Sequence, residues 1–243
     1  MKPDVILTWP TGMDYPICRW FLSHNRKKFN KIYVVLYPHG CLNFTDFLMK
    51  NWQGVEFLAS QTCNEKWRED AVNIALEESK SDWVWFAEQD FLFKDDYCFE
   101  KVKAAMKKYD VIGVRQGNRL HPMCIFAKRS VIDKTDRDFG TGEKHHDHFS
   151  KVCQQWAKFA KIGYLADLGL FEGRDWYHMS SMTWNYFRII DNDIKDMHEV
   201  ANFLVWNAYN RAVKVPQSPV FQGLAARAEA LLTTFGKFLH PDE

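Results

Sequence analysis

Short apolar runs alternate with longer amphipathic segments through the first half of the chain. Runs rich in Val, Ile, Trp and Phe predict strands at residues 5–9, 31–37, 55–59, 82–87 and 110–114. Between them, apolar residues at helical spacing predict helices at residues 17–28, 45–52, 64–79 and 95–108. Strands that alternate with helices build βαβ units, so we expect an α/β fold with a mostly parallel sheet flanked by helices.

The second half of the chain is less regular. We predict a strand at residues 123–126, a polar loop at 135–148, a helix at 149–161 and a strand that begins at Gly163. Residues 174–184 are dense in aromatic and polar side chains. Two further helices are predicted at residues 194–212 and 225–238, separated by Pro216 and Pro219, and they indicate a helical C-terminal extension.

Ligands of mostly parallel sheets bind at the carboxyl ends of the strands, which directs attention to the residues after each apolar run. These residues include Thr8, Trp9, Pro10, Tyr37, His39, Ser60, Gln61 and the tripeptide Glu88-Gln89-Asp90. Glu88 and Asp90 are two residues apart, so on a strand they share a face and can converge on one cation. Carboxylate oxygens suit Mg²⁺ or Mn²⁺, which in turn bind phosphates. The alternative is an ordinary solvated strand end.

Composition limits the class of protein. The 243 residues suit one α/β domain with an extension, and a formal net charge of +1 excludes a strongly basic coat protein and an acidic tail protein. Aromatic residues make up 16% of the chain, which excludes disorder as a description of the whole. The six cysteines include no C-x-x-C pair, so zinc ribbons and dithiol redox motifs are not expected. With no signal-peptide pattern and no membrane-length apolar run, we expect a cytoplasmic protein.

The segment 67–90 reads WREDAVNIALEESKSDWVWFAEQD. Arg68, Asn73 five residues on, and Ser79 at a helix end lead through an apolar strand to Glu88-Gln89-Asp90. In order and spacing this segment resembles the nucleotide-sugar glycosyltransferases of the GT-A fold, especially the large inverting family two, whose apolar strand ends in a D-x-D-type metal motif. Glu88 stands where that motif usually begins with Asp. The resemblance covers roughly residues 4–185 and implies a Rossmann-like GT-A fold.

The resemblance implies a nucleotide-diphosphate sugar as donor, with a UDP-sugar expected, and Mn²⁺ or Mg²⁺ as cofactor. Its implied metal ligands are Glu88, Asp90 and His178, of which Asp90 best matches the motif. Its implied nucleotide-sugar contacts are Thr8, Trp9, Pro10, Tyr37, Arg68, Glu88 and Gln89. Tyr37 ends the second strand, where the family often has an acidic residue. For His178 the alternative is an ordinary packed or surface histidine.

The family also has an acidic motif at the start of a helix that leads into a Gly-aromatic strand. The tripeptide at 146–148, the helix at 149–161 and Gly163-Tyr164 fit that layout, so Asp147 is implied as the general base that deprotonates the acceptor hydroxyl. His146 departs from the usual Glu-Asp pair, and Asp138 and Glu143 are alternative bases. The histidine-rich run 145–148 has two rival interpretations, a zinc site and a solvated polar loop.

The acceptor remains open between two classes. A glycan or small molecule follows from the family, whereas a hydroxymethylated base in phage DNA would suit two basic groups: Arg26, Lys27, Lys28 and Lys31, and Lys101, Lys103, Lys107 and Lys108. The alternative for both groups is a solvated face. Among the tryptophans, we predict Trp67, Trp83 and Trp85 in the core, and Trp9, Trp176 and Trp184 near the site, stacked on a base or sugar.

We predict a catalytic domain at residues 1–185, divided into a nucleotide-sugar-binding half (1–115) and an acceptor half (116–185), and a helical extension at 186–243. Two other functions are compatible with such a fold. A nucleotidyltransferase would need a Gly- and Lys-rich loop after the first strand, and residues 8–12 (TWPTG) contain no basic side chain. A non-catalytic nucleotide-sugar-binding domain is the second. The sequence leaves the oligomeric state open.

Overall fold

Nine strands and four α-helices make up the part of the chain that the computed structural model describes, residues 2–9, 28–36, 55–59, 67–88, 91–117, 119–141, 148–172 and 174–178. The strands are β1 (Asp4–Trp9), β2 (Ile32–Leu36), β3 (Val55–Ala59), β4 (Trp83–Ala87), β5 (Phe91–Phe93), β6 (Val111–Gln116), β7 (Arg119–Lys128), β8 (Ile162–Tyr164) and β9 (Trp176–His178). The helices are α1 (Trp67–Glu78), α2 (Asp96–Ala105), α3 (Arg129–Ile132) and α4 (Ser150–Phe159), with a 3₁₀ helix at Leu165–Leu168.

Several predicted elements fall outside these ranges. The predicted helices at 45–52, 194–212 and 225–238 lie wholly outside the described residues, as does the one at 17–28 except for Lys28. The predicted C-terminal extension therefore stays a prediction. None of the described helices is both long enough and apolar enough to cross a membrane.

Seven of the strands form one sheet in the order β3-β2-β1-β4-β7-β6-β8, and β5 pairs with β9 in a separate two-stranded sheet. β1 pairs in parallel with both β2 and β4, β2 with β3, and β6 with β8. β7 is antiparallel to both of its neighbours, β4 and β6. The sheet is therefore mostly parallel, as the sequence predicts. The carboxyl ends of the parallel strands β1, β2 and β4 lie along one side of the sheet, here named the carboxyl edge. Their amino ends lie along the opposite side, here named the amino edge.

Alternate residues of β4 pack into two different cores, one on each face of the sheet. Trp83 and Trp85 belong to the cluster that includes α2, and Val84 and Phe86 belong to the cluster that includes α1 and α4. Trp85 is fully buried and stacks on Phe126 of β7, with ring centroids 4.9 Å apart. The predicted core positions of Trp83 and Trp85 are confirmed. A strand covered on both faces is a continuous apolar run in sequence, which makes it easy to recognise.

A buried carboxylate ties the start of β1 to β2 and to the end of α1. Asp4 is fully buried; its Oδ1 accepts from Asn30 Nδ2 (3.0 Å) and from the Lys31 amide (3.2 Å), and its Oδ2 accepts from Ser79 Oγ (2.7 Å). Arg129 donates from its guanidinium to the Ser79 carbonyl (3.1 Å), which helps to satisfy the C-terminal end of α1. Ser79 of the predicted motif therefore has a structural role in seating α1 on the sheet.

Strand β7 is much longer than its apolar pattern predicts. The sequence predicts a strand only at 123–126, and Pro122, a residue type that is unusual inside strands, stands directly before that run. In the structure β7 begins at Arg119. The pairing of β7 with β4 stops at Cys124, whereas Arg119 and Leu120 of β7 pair with β6. Strand β5 is not predicted at all. Both differences matter because the beginning of β7 and strand β5 lie next to the end of β4.

The amino edge carries part of one predicted basic group. Lys107 and Lys108 follow α2, are exposed and come just before β6. Val111 of β6 and Val84 of β4 both pair with Ala127 of β7, so the start of β6 lies at the same edge as the start of β4. Gly163 of β8 packs at this edge against Tyr109, whose ring would lie 2.7 Å from an added Cβ atom. The predicted Gly-aromatic strand therefore needs a glycine at this position, because the Tyr109 ring leaves no room for a side chain.

Three of the six cysteines, Cys98, Cys124 and Cys153, lie in the described region as buried free thiols. Burial raises the pKa of the Cys98 and Cys153 thiols to about 12. These thiols are therefore protonated at neutral pH, and they pack as small apolar residues rather than acting as nucleophiles or metal ligands.

Candidate active site

Glu88 directly follows β4, and two main-chain hydrogen bonds fix its position. Its amide donates to the Met123 carbonyl of β7 (3.1 Å), and its carbonyl accepts from the amide of Phe91, where β5 begins (3.1 Å). The Glu88 side chain is half-buried. Because β4 is buried on both faces, this carboxylate stands at the boundary between the core and the carboxyl edge.

The β5–β9 ribbon returns the last described residues of the chain to Glu88. Phe91 is the antiparallel partner of His178. The Trp176 ring stacks on Phe91, with centroids 5.5 Å apart and an interplanar angle of 29°. Phe91 in turn makes an edge contact with Trp85 of β4 at 6.1 Å. The position of His178 is therefore set by aromatic packing that continues from the core of the sheet.

His178 and Glu88 are in direct contact. His178 Nε2 lies 3.0 Å from Glu88 Oε2, and the side chains are 10% and 32% exposed, respectively. An ionised carboxylate only accepts hydrogen bonds, so this contact places a proton on Nε2. Two of the three residues that the sequence predicts as metal ligands are thus neighbours, one from the end of β4 and one from β9.

A second histidine that the sequence analysis does not identify lies beside this pair. The rings of His121 and His178 are 5.5 Å apart with an interplanar angle of 62°, an edge-to-face arrangement. His121 Nδ1 accepts a hydrogen bond from the Met123 amide (3.2 Å). His121 belongs to the part of β7 that precedes Pro122. Recognising that the strand continues through the proline would have brought this histidine to the carboxyl edge.

A small, open pocket lies next to Glu88 on the face of the sheet that carries α1 and α4. Among the described residues its walls are mostly apolar, and Glu88 and His148 are the described lining residues with ionisable side chains. The other lining residues are Ile6, Val72, Phe86, Ala87, Pro122, Phe139 and Phe149. An apolar hollow that also presents polar groups is one feature of small-molecule sites, and here it lies beside the end of β4.

Hydrogen bonds hold the described residues before and after the segment that contains the predicted base. The Phe149 amide donates to the Phe139 carbonyl (2.6 Å), and Asn73 Nδ2 of α1 donates to the Arg137 carbonyl (3.3 Å). Phe149 has a positive φ of 67° and stands at the N-cap of α4. Asp147 itself lies outside the described residues, but the next residue, His148, lines the same pocket as Glu88.

The alternative base Asp138 is engaged elsewhere. Its Oδ2 accepts from Lys151 Nζ (2.7 Å) and its Oδ1 accepts from the Gly140 amide (3.0 Å), and it is not among the residues that line the pocket. These contacts indicate a role in holding the loop before α4. Glu143, the other alternative, lies outside the described residues.

The remaining predicted site residues are placed only in part. Thr8 and Trp9 end β1 at the carboxyl edge, paired with the last two residues of β2, and Arg68 is in the first turn of α1. Pro10, Tyr37, Gln89 and Asp90 lie outside the described residues. Within the described ranges, no three His, Cys, Asp or Glu side chains are close enough together to hold a metal ion. Asp90, the third predicted ligand, follows Glu88 by two positions.

The prediction that Trp176 stacks on a base or sugar is wrong. Trp176 is only 6% exposed; it packs on Phe91, and its Nε1 donates to the Leu170 carbonyl (3.4 Å). The sequence places this tryptophan in a segment dense in aromatic and polar side chains, and only the pairing of β9 with β5 shows that it belongs to the core. Trp184 and the side chain of Trp9, predicted for the same role, lie outside the described residues, as does the side chain of Trp67.

Comparison with solved structures finds several of similar architecture. The mannosyltransferase PcManGT from Pyrobaculum calidifontis, in complex with GDP-Man and Mn²⁺, superposes with a TM-score of 0.53 at 13% identity, covering 97% of this chain and 76% of that one. TarS residues 1–349 from S. aureus gives 0.51 at 13% identity, covering 99% and 74%. A longer TarS structure gives 0.53 at 14% identity, covering 86% and 44%, so the present chain spans less than half of that protein.

Sequence comparisons add no relative: no protein-family model matches the chain, and no curated protein does. The likeness to the transferases is therefore one of architecture, which agrees with the mostly parallel seven-stranded sheet and its flanking helices. The chain has the Rossmann-like GT-A fold that the sequence predicts.

Proposed function

We propose that this protein is a metal-dependent glycosyltransferase that moves a sugar from a nucleotide-diphosphate sugar to an acceptor hydroxyl with inversion. The observation that carries the proposal is the contact of 3.0 Å between His178 Nε2 and Glu88 Oε2 at the carboxyl edge. Sheets of this type bind ligands at that edge, and the structurally similar mannosyltransferase holds GDP-Man and Mn²⁺. The aromatic packing of β9 supports a fixed site rather than an incidental surface contact.

Two kinds of donor group that can bind a divalent cation meet at this edge, the Glu88 carboxylate and the His178 imidazole. We assign Glu88, Asp90 and His178 as the residues that would hold it. Carboxylate oxygens suit both Mg²⁺ and Mn²⁺, whereas an imidazole nitrogen is a softer ligand, so the mixed set favours Mn²⁺. When bound, the ion would neutralise the charge that develops on the leaving diphosphate. His178 Nε2 must lose its proton to bind a metal, so the hydrogen bond to Glu88 belongs to the metal-free protein.

The nucleotide sugar is assigned to the residues around the end of β1 and the start of α1. Thr8, Trp9, Pro10 and Tyr37 would hold the base and ribose. Glu88 would contact the ribose, and Arg68 and Gln89 would complete the contacts to the nucleotide sugar. A UDP-sugar is the first donor to test, with GDP-mannose beside it because the similar mannosyltransferase contains that donor.

Asp147 is assigned as the general base, supported by the position of its neighbour His148 in the pocket that Glu88 lines. Its carboxylate takes the proton of the acceptor hydroxyl as that oxygen forms a bond to the anomeric carbon. The bond from the anomeric carbon to the diphosphate oxygen breaks on the opposite side, and the nucleoside diphosphate leaves with the electron pair. Attack from the face opposite to the leaving group inverts the anomeric centre.

For the acceptor we favour a glycan or small molecule over a DNA base. Lys107 and Lys108, half of one basic group, lie at the amino edge, away from Glu88. Of the remaining described lysines, Lys28 is paired with Asp96 (2.8 Å) and Lys103 with Glu100 (2.7 Å). A phosphate backbone held by Lys107 and Lys108 would lie at the amino edge, away from Glu88, which favours a compact acceptor over duplex DNA.

Release of nucleoside diphosphate from a panel of nucleotide sugars tests the proposal. Wild type should turn over one donor with Mn²⁺ and not with EDTA, and Asp90→Asn and Asp147→Asn should each lose most of that turnover. Asp82→Asn is the matched control, because Asp82 is exposed and precedes β4 at the amino edge. Full turnover in EDTA or in Asp90→Asn would overturn the metal role, and release of inorganic pyrophosphate from nucleoside triphosphates would instead indicate a nucleotidyltransferase.

A further inference from the structure

Four residues at the carboxyl edge form a closed circuit of contacts. The Glu88 amide donates to the Met123 carbonyl (3.1 Å), and the Met123 amide donates to His121 Nδ1 (3.2 Å). The His121 ring meets the His178 ring at 5.5 Å, and His178 Nε2 returns to Glu88 Oε2 at 3.0 Å. Both the main chain and the side chain of Glu88 are therefore linked to the same histidine of β7.

The hydrogen bond from Met123 determines how His121 can be protonated. A neutral imidazole has one donor and one acceptor nitrogen, and Nδ1 is the acceptor here. The proton of neutral His121 is therefore on Nε2, and the ring is held at a fixed angle to β7. A ring fixed in this way limits rotation of the His178 ring, which it meets at 62°.

We propose that His121 is a positioning residue, which acts through His178 and does not touch the metal. It holds the His178 imidazole in the orientation in which Nε2 faces the Glu88 carboxylate. This inference rests on the proposed metal site. Residues that hydrogen-bond to a metal-ligating histidine typically change metal affinity about 10–100-fold when they are removed, so for a ring-to-ring contact we expect the lower end of that range. That His121 is not itself a ligand agrees with the described residues, among which no three potential ligands are grouped closely enough to hold an ion.

Two substitutions separate the contacts of His121. His121→Asn keeps an acceptor at the position of Nδ1 for the Met123 amide but removes the ring that meets His178. His121→Phe keeps a ring of similar size but leaves the Met123 amide without its acceptor. Met123→Leu is the control, because it conserves side-chain volume and leaves the main-chain bonds of the circuit in place.

Binding of Mn²⁺ alone, followed by the loss of the free-ion signal in electron paramagnetic resonance, gives the affinity without any substrate. We expect His121→Asn to raise the Mn²⁺ dissociation constant about tenfold, the lower end of the range for groups that orient a ligating histidine. His121→Phe should bind Mn²⁺ more tightly than His121→Asn but unfold at a lower urea concentration. Met123→Leu should match wild type in both measurements.

Electron spin echo modulation from nitrogen nuclei identifies the ligand. At saturating Mn²⁺, His121→Asn should keep the signal of a directly bound imidazole nitrogen, and His178→Ala should lose it. A nitrogen signal that survives in His178→Ala and vanishes in His121→Asn would make His121 a ligand and overturn the positioning role.

The affinities distinguish the failure of this inference from the failure of the proposed function. If His121→Asn binds Mn²⁺ as tightly as wild type, the positioning role is wrong and the metal site stands. If wild type does not bind Mn²⁺ at millimolar concentration, with or without nucleoside diphosphate, the metal site itself is wrong and the positioning role falls with it.

Discussion

His178 Nε2 lies 3.0 Å from Glu88 Oε2, although 90 positions separate the two residues in the chain. The contact depends on the pairing of β9 with β5, which begins three residues after Glu88. It also depends on the stacking of Trp176 on Phe91 beneath it. The geometry of the carboxyl edge is therefore tied to the packing of a short aromatic ribbon.

The Glu88–His178 contact should be measurable in the metal-free protein. In a double-mutant cycle of Glu88→Gln and His178→Phe, we expect a coupling free energy of about 1 kcal/mol, because the contact is a partly buried hydrogen bond to a carboxylate. Urea unfolding in EDTA measures it. The exposed pair Glu100–Lys103 on α2 is the matched control, for which about 0.2–0.5 kcal/mol is expected. Strict additivity at Glu88 and His178 would mean that they do not interact in solution.

Replacing Trp176 should destabilise the fold rather than only weaken ligand binding. Trp176→Ala removes a ring that is 6% exposed, so we expect a loss of about 3–5 kcal/mol in the free energy of unfolding. Phe171→Ala removes a ring that is 48% exposed, and the expected loss is about 1 kcal/mol or less. Denaturant unfolding of both variants checks the comparison. Equal, small losses in the free energy of unfolding would indicate that Trp176 is a surface residue available to stack on a ligand.

The sequence predicts the strands at the centre of the sheet well and the ribbon poorly. β4 is recognised because both of its faces are buried, so the run of residues 83–87 is apolar throughout. β5 and β9 are three residues each, too short to show a period, and their pairing is a long-range property. The prediction for Trp176 fails for this reason, because Asp175 and Tyr177 beside it show no apolar pattern, while in space it stacks on Phe91.

Loss of the Ser79 hydroxyl should reveal the buried carboxylate network at the start of β1. Ser79→Ala deprives Asp4 Oδ2 of the hydrogen bond at 2.7 Å, and we expect a loss of about 1–3 kcal/mol because the carboxylate is fully buried. Ser81→Ala is the control, since its hydroxyl makes an exposed bond to the Lys2 carbonyl. Thermal or urea unfolding distinguishes the two. A Ser79→Ala variant as stable as Ser81→Ala would contradict the structural role assigned to this motif residue.

The stability of the protein in acid should depend on Asp110. A hydrogen bond from Lys128 Nζ (2.6 Å) and another from the Lys161 amide (3.0 Å) lower the pKa of Asp110 below its ordinary value of 3.8. The unfolded chain then binds the proton more readily than the folded one. The contribution is complete above the ordinary pKa and is lost as the pH falls through the folded pKa.

Asp110→Asn should therefore lower stability at pH 7 and make the decline below about pH 4 shallower than in wild type. Urea unfolding from pH 7 to pH 3 measures this. Asp82→Asn, which removes an exposed carboxylate at the same edge, should leave the shape of the profile unchanged. Parallel profiles for wild type and Asp110→Asn would refute the assignment.

The candidate site could be predicted from the sequence where a residue follows a recognisable strand. Glu88 is found in this way, because it comes directly after β4. His178 is found by resemblance alone, since no local pattern marks a histidine that returns to the site from a distant ribbon. His121 is not predicted because Pro122 separates it from the apolar run by which β7 is recognised. The hydrogen bond that fixes its orientation comes from the main chain of Met123, which no side-chain pattern reveals.

Calorimetric titration of a panel of nucleotide-diphosphate sugars, with Mn²⁺ and with EDTA, shows whether the carboxyl edge binds a nucleotide sugar together with a divalent cation. Wild type should bind one donor in the presence of Mn²⁺, and Glu88→Gln should weaken that binding by about tenfold or more, because one charged ligand of the ion is lost. Asp82→Asn should bind as wild type does. Binding of the same donor with equal affinity in EDTA, or no binding of any donor by wild type, would contradict a metal-dependent nucleotide-sugar site at Glu88 and His178.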